Sequence, residues 1–108
     1  MRRSKSALEQ AVEDAKSNKE RAVAYYNLGL FHDNNAREAE AIPNYRKALE
    51  LGLDRDTRAK ALAWLASSLY KTDNPKEALQ RVEESIDIAD AELRRFLEGL
   101  KKRVQRVM

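Results

Sequence analysis

The apolar and small residues of the middle of the chain keep step with a second copy of themselves. Tyr25, Leu28, Gly29 and His32, followed by Ala41, Tyr45 and Ala48, are matched 37 residues later by Leu62, Leu65, Ala66 and Leu69, followed by Ala78, Val82 and Ser85. Large residues fall on large ones and small on small, except that His32 stands opposite Leu69. Spacings of three, four and seven residues are those of one face of an α-helix. Each copy therefore predicts two antiparallel helices, the Leu28–Gly29 pair letting the second helix approach closely at Ala41 and Ala48, with Tyr45 filling the space between neighbouring pairs.

The ends carry the same period. Leu8, Ala11, Val12 and Ala15 form one apolar stripe, and Leu93, Phe96, Leu97, Leu100, Val104 and Val107 form another. The opposite face of the last helix is basic: Arg94, Arg95, Lys101, Lys102, Arg103 and Arg106. The pattern predicts six helices, near 5–17, 20–33, 37–51, 57–72, 75–88 and 90–106, and no strand. The expected core is Leu28, Tyr45, Ala48, Leu49, Leu62, Leu65, Leu69, Ala78 and Phe96.

Punctuation fits. Asn74-Pro75-Lys76-Glu77 offers an N-cap, a proline at the first helical position and an early acid. Asn34 and Asn35 serve the matching turn, Gly52 is placed for a left-handed helix end, and Asp54 or Asp56 can cap the next helix. Pro43 lies beyond the first turn of its helix, where it removes the bond to Ala39 and favours a bend.

The run Tyr25-Tyr26-Asn27-Leu28-Gly29, with Ala41-Ile42 and Tyr45-Arg46-Lys47-Ala48-Leu49-Glu50-Leu51, resembles the tetratricopeptide repeat. The period is 37 rather than the usual 34, with about three residues inserted in 52–58 and no terminal proline there. The resemblance implies an all-α fold of helix-turn-helix repeats stacked as a short right-handed superhelix. One domain is expected over 1–108: an N-terminal helix or half-repeat (1–21), repeat one (22–55), repeat two (59–89) and a C-terminal capping helix (90–108). Two repeats need such covering helices, or self-association, to complete a core.

The family implies a site as well. The first helices of successive pairs would line a concave groove for a partner peptide. The groove would offer Val23, Tyr26, Asn27, Leu30, Asp33 and Asn34 from repeat one, and Lys60, Ala63, Trp64, Ser67, Tyr70 and Lys71 from repeat two. The aromatics are the candidate anchors and Lys60 and Lys71 would select an acidic or carboxylate-bearing segment; Trp64 and the tyrosines could equally pack against the flanking helices. Asn27 and Lys60 match the carboxylate clamp of some family members, but Tyr26, Leu30 and Trp64 stand where the clamp wants Lys, Asn and Arg, so no clamp is expected.

Composition narrows the chemistry. The chain has 108 residues, no cysteine and one histidine, His32, at a packing position. No nucleophile with a histidine partner, phosphate loop, zinc spacing or calcium loop is present. No catalytic residue, metal or cofactor is expected, and the protein is read as a non-enzyme. Net charge is +3, with the excess base at the two ends. That leaves binding of nucleic acid or an acidic partner through the terminal helices as an alternative, and a purely structural, self-associating repeat unit as another. The preferred reading is a cytoplasmic scaffold or adaptor whose partner is a protein or peptide, with no membrane span and nucleic acid less favoured.

Overall fold

The computed structural model describes residues 4–108. Among these there are six helices and no strand: α1 (Lys5–Asp14), α2 (Asn18–Asn34), α3 (Glu38–Leu51), α4 (Arg55–Lys71), α5 (Pro75–Ile86) and α6 (Ala91–Arg106). The chain divides into two compact units, Met1–Leu53 and Asp54–Met108. In the first, α2 packs on α3 and α1 on α2; in the second, α4 packs on α5, and α6 on both.

The 37-residue offset extends to the backbone. α2 and α4 are each 17 residues long and begin and end 37 residues apart. Their N-caps correspond: the Ser17 hydroxyl accepts from the Glu20 N–H at 3.1 Å, and the Asp54 carboxylate from the Thr57 N–H at 2.9 Å. These bonds satisfy amides the helix leaves without partners, and they start both helices two residues earlier than the apolar pattern suggests. Glu20 also accepts from the Lys16 N–H at 3.1 Å. The Ser-x-x-Glu run at Ser17–Glu20 thus bonds both ways across the start of α2, its carboxylate reaching the N–H one residue before the cap, a variant of the capping box that apolar spacing alone misses. It also ends α1 at Asp14 rather than 17.

The two helical hairpins turn identically. The Arg37 N–H donates to His32 O at 2.8 Å and the Asn74 N–H to Leu69 O at 2.8 Å, while Ala36 and Asp73 donate to Asp33 O and Tyr70 O. Ala36 and Asp73 have φ of 57° and 64°, so each turn is a Schellman closure with a non-glycine residue at its left-handed position. Asn74 is the N-cap of α5, but its side chain makes no cap bond; its amide instead donates to the Thr72 carbonyl and hydroxyl. Pro75 takes the first helical position as expected. Gly52 has φ 103° and ψ 120°, a positive φ that favours glycine but not the left-handed helical conformation expected of it. α3 continues through Pro43, with exposed Ala39 four residues before it.

Leu28, Tyr45, Ala48, Leu62, Leu65, Leu69 and Ala78 are buried, as the repeat pattern predicts. Leu49 is only half-buried, and Phe96 is 37% exposed and does not belong to the core. The α6 side chains that are buried are Leu97, Leu100 and Val104. Phe96 lies one helical step to the side of that stripe, which is narrower than the sequence pattern suggests.

Tyr45 packs against α2 of its own helix pair. Its ring lies where a Cβ on Gly29 would fall, 2.5 Å from that position, and its hydroxyl donates to Asp33 Oδ2 at 2.9 Å. The corresponding residues of the second repeat are Ala66 and Val82, both fully buried. A larger residue on α3 thus goes with a glycine on α2, and a smaller one on α5 with an alanine on α4. In the second repeat the Ser85 hydroxyl also donates to Ala59 O at 2.7 Å, where the first has the alanines Ala48 and Ala22.

Candidate partner-binding surfaces

The first unit holds Tyr26, Asn27 and Leu30 on α2, all half-buried. The Tyr26 ring sits 6.1 Å from the Tyr45 ring, tilted by 49°, so it is partly spent on packing. Asp33, expected on the open face, is the acceptor for Tyr45. Burial first, and then the Asp33 carboxylate, raise the Tyr45 phenol above its ordinary pKa, so it stays protonated. A shallow depression of about 330 Å³ lies between α1 and α2, lined by residues that include Ala11, Ala15, Val23 and Asn27.

In the second unit a cleft of about 390 Å³ is lined by Lys60 and Trp64 from α4 and Asp90, Glu92, Leu93 and Phe96 from α6. Trp64 is half-buried and meets Phe96 edge to face, with ring centroids 5.3 Å apart. The indole is therefore neither sealed into the core nor fully open. Lys60 is exposed at the rim. Asp90 caps α6, its carboxylate accepting from the Leu93 N–H at 2.8 Å, which fixes the wall that carries Leu93 and Phe96.

Of the other expected groove residues on α4, Ser67 and Tyr70 are half-buried and Lys71 is exposed, but none of them lines this cleft; Ala63 is fully buried and offers no surface. Leu93 and Phe96 are the contributors that sequence reasoning assigned elsewhere. Val23 and Asn27 correspond through the repeat to Lys60 and Trp64, so the same two positions face a depression in each unit.

The basic face of α6 is not uniform. Arg94 is occupied: its guanidinium donates to Ile86 O at 3.4 Å and Ala89 O at 3.3 Å, closing the end of α5. Lys101 is half-buried, whereas Arg95, Lys102, Arg103 and Arg106 are exposed.

His32 is 6% exposed, and its Nδ1 finds no partner among the described residues. Burial, followed by the Lys5 charge, lowers its pKa below the ordinary 6.5, keeping the imidazole neutral at pH 7. No group of three or more His, Asp or Glu side chains is placed to hold a metal among the described residues. No described helix is long and apolar enough to cross a membrane.

A family model for the tetratrico peptide repeat matches residues 22–104, which takes in both hairpins and most of α6. The chain belongs to the tetratricopeptide repeat family. Members of that family generally mediate protein–protein interaction and are typically scaffolds rather than enzymes. No curated protein matches the sequence.

Proposed function

We propose that this tetratricopeptide repeat chain is an adaptor that holds a segment of a partner protein, with the cleft between α4 and α6 as its anchor point. One observation supports the reading above the rest. Two large rings, Trp64 and Phe96, adjoin in an open cleft, and Phe96 keeps 37% of its surface in solvent. Partly exposed rings on rigid helices lose little conformational entropy when covered, and tryptophan is among the commonest interface anchors. An apolar side chain of the partner would enter between the rings and Leu93, while Lys60 would pair with a carboxylate at the rim. Tyr26, Asn27 and Leu30 on α2, with Ser67, Tyr70 and Lys71 on α4, are the further positions for contact that family resemblance supplies.

Trp64 is the only tryptophan, so its fluorescence reports on the cleft directly. A partner captured by the intact chain and then purified should shift the emission on titration. Trp64→Ala and Phe96→Ala should each weaken its binding at least about tenfold, equivalent to 1.4 kcal/mol. Melting curves recorded in parallel separate lost binding from lost fold. Full affinity in both folded variants sinks the reading.

A further inference from the structure

Gly99 lies in the interior of α6, exposed, in regular helix. A Cβ built there meets no atom within 4 Å, so neither packing nor a positive φ calls for glycine. Glycine at an exposed interior position weakens a helix relative to alanine, and here nothing inside the molecule compensates. Its neighbours on the helix surface, three and four residues either way, are Arg95, Phe96, Lys102 and Arg103. All four are exposed, and Arg106 continues the row one turn further. No hydrogen bond or ion pair among the described residues engages the side chain of Arg95, Lys102, Arg103 or Arg106, in contrast to Arg94. The surface is thus a shallow notch with bare backbone at its floor, three cations and one ring around it.

We infer that this notch on the outer face of α6 is a second docking surface, adjoining the α4–α6 cleft at Phe96, and that it receives an acidic segment of a partner protein whose backbone crosses α6 at Gly99. The missing side chain permits close approach of the two backbones, and the cations supply charge complementarity for glutamate or aspartate on either side of the crossing. Phe96 offers an apolar contact at the notch's edge. A protein segment fits better than nucleic acid. Glu92 and Glu98 interrupt the basic residues along α6, which opposes a continuous phosphate backbone but tolerates spaced carboxylates.

The test uses the full chain and a fluorescein-labelled helical peptide of glutamate, alanine and leucine, with a single-stranded oligonucleotide of equal charge as comparison. Binding is followed by anisotropy at two salt concentrations. Gly99→Ala should raise Tm by a few degrees, because the helix gains and the Cβ meets nothing. The same substitution should weaken peptide binding at least about tenfold, and Arg95→Gln with Arg103→Gln should do likewise. Opposite signs in stability and affinity are the signature that a merely structural glycine would not produce. Peptide binding unchanged by Gly99→Ala, no peptide binding at low salt, or tighter binding of the oligonucleotide than of the peptide would each overturn the inference.

Discussion

Replacing Gly29 by alanine drives a methyl group into the ring of Tyr45. The new Cβ would lie 2.5 Å from Cε1, 2.6 Å from Cδ1 and 3.0 Å from Cζ. Carbon atoms rest at about 3.5–4.0 Å, so the ring must retreat by about 1 Å. It has nowhere to go: Tyr45 is fully buried and its hydroxyl is tied to Asp33 at 2.9 Å. Overpacking of this kind costs about 1–3 kcal/mol, and breaking the hydrogen bond of a buried hydroxyl adds about 1–3 kcal/mol. Alanine's helix preference returns only about 1 kcal/mol. The net loss is therefore about 1–5 kcal/mol, seen as a drop in Tm of roughly 4–8 °C per kcal/mol in a chain near this size. Tyr45→Val alone leaves a cavity and should cost about 2–5 kcal/mol. The double variant, however, reproduces the Ala66–Val82 pair of the second repeat. It should be more stable than the sum of the single changes by about 1–3 kcal/mol. Urea denaturation of the four proteins, followed by circular dichroism, gives the coupling. Single changes that add to within about 0.5 kcal/mol would refute the idea that the two positions are matched in size.

Ala36→Gly relieves a left-handed alanine at a Schellman turn and should stabilise by about 0.5–1 kcal/mol, read from the same melts. Leu65→Ala, at a fully buried site, should cost about 2–5 kcal/mol. The lowered pKa of His32 means the unfolded chain binds a proton that the folded chain refuses; its stability contribution is complete above about pH 6.5 and is lost as pH falls from there toward the folded value. His32→Leu, the residue of the second repeat at that position, should flatten the stability profile below pH 6.5. Removal of residues 90–108 uncovers the apolar surface that meets Leu97, Leu100 and Val104, and the remaining chain should aggregate or self-associate, as light scattering would show.

The repeat was legible because packing writes directly into residue size. Leu28 with Leu65, Gly29 with Ala66 and Tyr45 with Val82 preserve size order at one offset, and both ends of α2 and α4 keep the same offset. What was illegible depended on which neighbour covers which edge of a helix. Phe96 shares the period of Leu93, Leu97 and Leu100, and period cannot distinguish the centre of a buried stripe from its margin. Arg94 shares the charge of Arg95, and only the proximity of the end of α5 shows that it is engaged. The helix starts at Asn18 and Arg55 were available from the polar residues Ser17, Glu20 and Asp54, whose hydrogen-bonding role the apolar pattern does not reveal. Trp64 was readable as lying off the buried stripe, but its neighbour Phe96 was not.

The order in which α4, α5 and α6 follow one another along the chain has a consequence during synthesis. The contacts of the second unit are local in sequence, and helical hairpins form in microseconds to milliseconds, whereas a ribosome adds about 5–20 residues per second. The α4–α5 hairpin leaves the ribosome ahead of α6 and can therefore close while α6 is still held in the exit tunnel. The 16 residues of α6 take roughly one to three seconds to polymerise. For that interval the nascent chain carries an uncovered apolar flank, and it is then that chaperone capture or misassociation between neighbouring nascent chains is favoured.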